Sequence, residues 1–478
     1  MKMIRPKTAI EVWVAVLIAA LATTGCHTSG LAGGGPANGV VDPGVRGGTP
    51  GAGGPLNNLT SDESAFFQDG SRRFADVEVV SGGSNNGLGP RFNSNQCLSC
   101  HSQPAPGGTS PAKNPLIAIA TLNGAKNLVP WFITSNGPVR EARFKKNPNG
   151  TNDGEVHDFF VITGRTDAPG CNIAQPDFGP PGNPVSGQGG NTNISFRIPT
   201  PFFGAGLIEA IPDSAILANM RSDATTKTGM GISGHPNAVL SGNANLSAND
   251  GTITRFGWKA QNKSLIMFAG EAYNVEMGIS NQLFPQERDE TPGCLYFSSP
   301  NDTLNFTTTS TGAVNPAVVS DIEAFANFMR MLAPPIPAPD TPSTVRGRAA
   351  FIKVGCAQCH TPSFTTGKSI ASGSATAPSA AMSGQTVNLF SDLLVHHMGQ
   401  GLADGITQGS AGPDEFKTAP LWGVGQRVFF LHDGRTSNLV EAIEDHRSPG
   451  SEANKVIENF YRLSAQEQQD IINFLRAL

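Results

Sequence analysis

Cys97-Leu98-Ser99-Cys100-His101 and Cys356-Ala357-Gln358-Cys359-His360 are the two stretches on which the reading of this chain turns. Cys-x-x-Cys-His is the attachment signature of a c-type haem. The two cysteines bind the haem vinyl groups as thioethers, and the histidine reaches the iron as proximal ligand. A zinc ribbon also pairs Cys-x-x-Cys units, but roughly 15–20 residues apart, whereas these lie about 260 apart. A thioredoxin-like dithiol needs a βαβ setting, and neither motif has that pattern around it. The expectation is therefore two covalently bound c-type haems, held by Cys97, Cys100 and His101 and by Cys356, Cys359 and His360, and with them electron transfer.

The first residues support that chemistry by pointing to export. Lys2, Arg5 and Lys7 precede an apolar run from Val12 to Ala22 that is too short to span a bilayer. Thr23-Thr24-Gly25-Cys26 follows. A lipoprotein signal ends with a small residue before a modified Cys, usually with Leu three places earlier, where this chain has Thr23. Two readings stand: lipidation of Cys26, or plain secretion with an incidental Cys. The expected location is the periplasm, or the outer membrane or cell surface through a lipid on Cys26. Seven cysteines less the four of the motifs leave Cys26, Cys171 and Cys294. In an oxidising compartment Cys171 and Cys294 form a disulfide or remain two thiols.

With 15% charged residues, 56 Gly and 36 Pro, the chain reads as globular and loop-rich. A net charge of −5 argues against nucleic acid as a partner and suits a small basic electron donor.

The folded part contains a distant repeat. Gly70-Ser71-Arg72-Arg73-Phe74 stands before the first motif and Gly347-Arg348-Ala349-Ala350-Phe351 before the second, both as helical patterns. An amphipathic helix from Asp321 to Leu332 ends Phe328-Met329-Arg330-Met331-Leu332, and the chain ends Phe474-Leu475-Arg476-Ala477-Leu478. The expected fold is mainly α, with two cytochrome c-like haem domains and long irregular loops. The expected divisions are a signal peptide at 1–25, a flexible Gly/Pro-rich tether at 26–57, an N-terminal haem domain at 58–333 and a C-terminal one at 341–478. Pro334 to Pro342 is the linker, and the segments near 180–193 and 222–251 read as surface loops.

Several further blocks resemble the bacterial di-haem cytochrome c peroxidase superfamily, and more closely its di-haem oxidoreductase branch, often labelled "thiol oxidoreductase" or "putative peroxidase". They are Gly87-Leu88-Gly89-Pro90-Arg91-Phe92-Asn93, the run from Pro201 to Pro212, Arg255-Phe256-Gly257-Trp258-Lys259-Ala260-Gln261, the run from His397 to Asp404, Pro420-Leu421-Trp422-Gly423, and Phe430-Leu431-His432-Asp433-Gly434-Arg435. The resemblance covers the chain from about residue 60 to its end.

That resemblance implies hydrogen peroxide as substrate at the N-terminal haem. Electrons would come from a small donor protein, a cytochrome or a cupredoxin, through the C-terminal haem, and a calcium ion would sit between the domains. It implies that Glu276, in Glu276-Met277-Gly278, moves the proton at the peroxide site as general base and then acid. It implies that Trp258 sits between the haems, a core Trp being the plainer reading. In the peroxidases a Met completes the C-terminal iron just before the stretch that matches Phe416 to Pro420. Here that place reads Gly412-Pro413-Asp414-Glu415, so Met398 becomes the candidate ligand, with His396, His397 and His432 as rivals. The N-terminal iron would keep an open position unless His157 were a removable ligand. A weaker internal match pairs Phe256-Gly257-Trp258 through Ser264-Leu265 with Phe430-Leu431-His432 through Asn438-Leu439. Two other readings stand beside the peroxidase: a non-catalytic electron-transfer protein, and an oxidase of a protein or thiol substrate.

Overall fold

The computed structural model describes residues 35–79, 87–125, 127–162, 172–179, 193–238, 253–286, 301–302, 319–369 and 379–478. The export signal, Cys26, Cys171 and Cys294 lie outside them. Twelve helices occur among the described residues: α1 Ser61–Phe74, α2 Cys97–Cys100, α3 Leu116–Leu122, α4 Ala205–Glu209, α5 Asp213–Arg221, α6 Ala224–Met230, α7 Leu265–Met277, α8 Asp321–Met331, α9 Pro342–Val354, α10 Leu439–Glu444, α11 Asn454–Tyr461 and α12 Ala465–Ala477. Strands are short: β1 Arg91–Phe92, β2 Glu141–Phe144, β3 Val156–His157, β4 Phe160–Val161, β5 Ile194–Arg197, β6 Phe364–Thr365, β7 Thr386–Val387, β8 Val395–His397 and β9 Glu415–Lys417. The fold is mainly helical with loops, as the sequence suggests.

Local chemistry starts the long helices. Thr60 and Ser464 cap α1 and α12 in full capping boxes with Glu63 and Glu467, so two otherwise orphaned N–H groups are satisfied at each start. Thr341 caps α9 just before Pro342, whose missing N–H costs nothing at the first helical position. Ser264, Ser320 and Asn438 cap α7, α8 and α10.

The repeated words in the sequence mark repeated packing. α1 lies against α8, and α9 against α12. At each crossing a glycine meets backbone: a Cβ on Gly70 would stand 2.2 Å from the Ala324 carbonyl oxygen, and one on Gly347 1.9 Å from that of Asp470. Only glycine fits so close an approach. One turn further on, Phe74 packs on Phe328 at 4.8 Å and Phe351 on Phe474 at 5.6 Å. The ends are tied alike, Gly204 N–H donating to Leu332 O at 3.0 Å and Gly423 N–H to Leu478 O at 2.9 Å. The weaker match also has a structural counterpart: Phe256 bridges Asn262, Phe430 bridges Thr436, and each loop leads into a capped helix, α7 or α10.

Two stretches depart from their sequence reading. Residues 222–251 read as a loop, yet α6 forms within them, held where Lys227 Nζ donates to Asn219 O at 2.6 Å. The segment 35–57 reads as a free tether. In the fold, Asp42 accepts from Arg476 Nε at 2.7 Å, Arg46 N–H donates to Gly425 O at 2.8 Å and Leu56 N–H to Met331 O at 2.7 Å. These partners are about 275–435 residues away, beyond the reach of local pattern.

Candidate functional site

Each Cys-x-x-Cys-His forms a tight turn, α2 in the first case and a 3-10 turn over Cys356–Gln358 in the second. Each turn opens onto a large cavity, of about 1140 Å³ at Cys97, Cys100 and His101 and about 1430 Å³ at Cys356, Cys359 and His360. The two histidines are set the same way. His101 Nδ1 lies 3.0 Å from Gly108 O and His360 Nδ1 2.9 Å from Phe390 O. A carbonyl only accepts, so Nδ1 carries the proton and the lone pair is on Nε2, the atom a metal would take. Burial lowers both imidazoles to about 4, which keeps them neutral. His101 stacks on Phe202 at 4.3 Å, and Phe74 and Phe351 stand 6.2 Å from His101 and His360.

Cys97, Cys100 and Cys356 are not built as thiolates. Burial pushes Cys97 far up, and Cys100 and Cys356 to about 12. A zinc ligand or redox dithiol needs the opposite shift. Uncharged sulfur beside an apolar cavity and a neutral imidazole suits thioether-linked haem, so these residues fit that cofactor.

Beyond the motif, the two cavities differ. Carboxylates line the first. Alternation along β2 turns Ala142 and Phe144 into the core and gives Glu141 and Arg143 to the cavity, where they pair at 2.7 Å. Arg197, in register with Glu141 on β5, also lines it and pairs with Asp404 at 2.7 Å. α7 adds Glu271 and Glu276. Burial, reinforced by the Glu141 charge, pushes Glu276 up to about 8, although Asn93 Nδ2 donates to its Oε2 at 3.0 Å and works the other way. Glu271 is raised by burial as well. His101 is the only histidine among the described residues lining this cavity. His157 is elsewhere, bonded to Asp153 at 3.2 Å and stacked on Phe144 at 4.0 Å.

Histidines line the second cavity: His396, His432 and His446 as well as His360, with Met398 among them. His396 has neither ring nitrogen free, for Nε2 bonds Asp392 at 2.9 Å and Nδ1 bonds Glu452 at 2.7 Å. Burial opposes its charge, but the Asp392 carboxylate on Nε2 holds it protonated, above the usual range. Cys359, Asp392 and His396 lie close enough for a metal ion, yet a doubly bonded imidazolium has no lone pair to give one. His397 is exposed and pairs with Asp414 and Glu415. His432 stacks on Phe416 at 4.2 Å, and burial lowers it to about 4. His446, absent from the candidates read in the sequence, repeats the geometry of the two motif histidines. Its Nδ1 lies 2.7 Å from Ala442 O, leaving the lone pair on Nε2. The signal for it was faint, one His just past a short helix.

Trp258 lines both cavities. Its Nε1–H donates to Ile198 O at 2.9 Å, while Ile198 N–H donates to His432 O at 2.7 Å, so one residue holds both matched loops. The indole and the His432 ring are 6.4 Å apart. Beside Trp258, Lys259 donates to Gly412 O at 2.8 Å and Glu415 O at 2.7 Å and pairs with Asp404 at 3.1 Å, fixing the loop.

A family model described as "Di-haem oxidoreductase, putative peroxidase" matches residues 189–478. No curated protein matches. Two solved structures show weak likeness. One is a Kuenenia stuttgartiensis hydrazine synthase, 22% identical over 34% of this chain and 59% of that one, TM-score 0.21. The other is a MauG-like protein associated with microbial copper homeostasis, 18% identical over 33% of this chain and 52% of that one, TM-score 0.22. The chain thus spans little more than half the length of either, and at those scores neither bears on its fold.

Proposed function

The chain belongs to the di-haem oxidoreductase family, and from that premise we propose that it reduces hydrogen peroxide at the first cavity with electrons delivered through the second. Covalent haems on Cys97 and Cys100 and on Cys356 and Cys359 would be held at iron by Nε2 of His101 and of His360. When bound, such a haem supplies one-electron redox chemistry and, at the first site, a position for peroxide. The observation that carries the reading is the asymmetry beyond the motifs: titratable carboxylates in one cavity, a second well-set imidazole in the other.

Reducing hydrogen peroxide to two waters takes two electrons and two protons. Glu276 handles the proton at Oε1, the oxygen that Asn93 leaves free, taking it from one peroxide oxygen and returning it to the departing one. A carboxyl raised to about 8 is poised for both directions near neutral pH. In the second cavity His446, through Nε2, would be the further residue to hold the haem, with Met398 as its competitor, and a site so filled would pass electrons and not bind substrate. Trp258, held by Ile198, stands on the path between the two. The donor is a small basic redox protein, and the chain works outside the cytoplasm, free or lipid-anchored at Cys26. Calcium between the halves stays part of this proposal on resemblance alone.

The test is steady-state consumption of hydrogen peroxide by the purified haem-loaded chain with a reduced small cytochrome as donor. Matched consumption of one peroxide per two donor electrons supports the reading. With both haems attached and no turnover, the chain is an electron carrier. Consumption of a thiol or protein substrate in place of the cytochrome makes it an oxidase of that substrate.

A further inference from the structure

Lys417 and Arg427 both line the second cavity, and both also line a small adjoining cavity walled by Trp258 and Trp422. Neither meets a carboxylate among the described residues. Arg427, 8% exposed, makes one long bond from Nη2 to Pro420 O at 3.3 Å. Several other buried cations have an acid: Arg197 and Lys259 share Asp404, Arg143 has Glu141, Arg330 has Glu209 and Arg476 has Asp42, while Lys227 is met by two backbone carbonyls. A buried charge is retained at large cost unless it is paired. Arg427 is buried and Lys417 part-buried, and two cations facing one cavity and repelling each other call for negative charge inside it. Burial lowers Lys417 to about 8, with Arg427 adding to the effect and the more distant Asp392 charge opposing it, and burial lowers Arg427 to about 10.

We propose that Lys417 and Arg427 form the carboxylate-binding end of the second cavity and that the two propionate groups of the second haem are the anions they hold. This rests on the reading that a haem occupies that cavity. It orients the haem within it: thioether bonds at Cys356 and Cys359, carboxylates on the Trp258 side. Lys417 N–H donates to Trp258 O at 2.8 Å, so the same strand that presents the cation anchors the indole. The carboxylate edge then faces the only aromatic side chain that, among the described residues, lines both large cavities.

The test is spectroelectrochemical titration of the full haem-loaded chain, wild type against Lys417→Gln, Arg427→Gln and the conservative Lys417→Arg, at several pH values. A nearby cation favours the reduced iron. In the Gln variants the ferrous-to-ferric ratio of the second haem at fixed poise should fall about tenfold. Its midpoint should also become pH-dependent between about pH 6 and 8, because a buried propionate without its cation titrates there. Lys417→Arg should retain the wild-type values, and the first haem should move much less. An unchanged midpoint and pH slope with haem still attached would overturn the proposal while leaving the haem reading intact. So would a wild-type midpoint that responds to added acetate and a Gln variant that does not, since a diffusible anion would then be the occupant. If the peptide carrying Cys356 and Cys359 has no haem mass, the underlying reading fails and takes this one with it.

Discussion

The first and second cavities share a frame and differ in what the frame holds. In both, a helix with a buried glycine crosses its partner, a phenylalanine one turn on backs the motif histidine, and that histidine is fixed through Nδ1 by a carbonyl. Past that point the first cavity has Glu141, Glu271 and Glu276 and one imidazole, and the second has four imidazoles, Lys417 and Arg427. The shared part positions a cofactor. Under the proposed function, the unshared part decides whether protons or only electrons move there.

The sharpest way to break this contrast is to remove one side of it. Glu276→Gln should cut peroxide turnover by about 10²–10⁴-fold, the usual worth of a positioned acid–base group, and leave both haem spectra in place. A rate within threefold of wild type takes Glu276 out of the mechanism. In the second cavity, His446→Leu should turn that haem from low-spin to high-spin in the ferric absorption spectrum with the first unchanged, whereas Met398→Leu should leave it low-spin. The reverse result would give the ligand role to Met398.

The shared frame makes its own prediction. Gly70→Ala and Gly347→Ala should each destabilise by about 3 kcal/mol in chemical denaturation, because the added carbon meets backbone that cannot turn aside. If one is tolerated, the two crossings are not equivalent.

A smaller effect concerns pH. Glu276 is raised from 4.5 to about 8, so the folded state favours its neutral form, and ionisation costs stability as pH climbs from about 4.5 to about 8. Glu276→Gln lacks that cost. Its stability relative to wild type should therefore be greatest at pH 8 and above and should fade by pH 4.5, as urea midpoints would show. A gap that widens toward low pH would mean a charged, stabilised Glu276. Smallest are the caps: Thr60→Ala and Thr341→Ala should each lower stability by about 1 kcal/mol, equally in the two helix pairs.

How much of this was legible in the sequence follows from the range over which each feature is encoded. The motifs and the words around Gly70 and Gly347 are local, and they gave the helical patterns and the repeat. Glu141 and Arg143 were hidden because four residues of alternation in β2 look like any loop. His446 was hidden for a different reason: what distinguishes it is a bond from Nδ1 to Ala442 O and a cavity built from distant segments. Lys417 and Arg427 stand out by facing a cavity without the carboxylate that Arg197, Lys259 and Arg476 have, which requires the whole fold. The pinning of 35–57 by Arg476 and Gly425 is likewise a pairing between opposite ends of the chain.

The most direct measurement is rapid mixing of the haem-loaded chain with hydrogen peroxide, in the oxidised and half-reduced states, followed by absorption. The account predicts that one haem, the one lost in His101→Gly, shows a five-coordinate band that shifts quickly and returns when reduced donor is added, while the His360 haem stays low-spin. Two low-spin haems that do not respond in either state would contradict it and leave an electron-transfer protein.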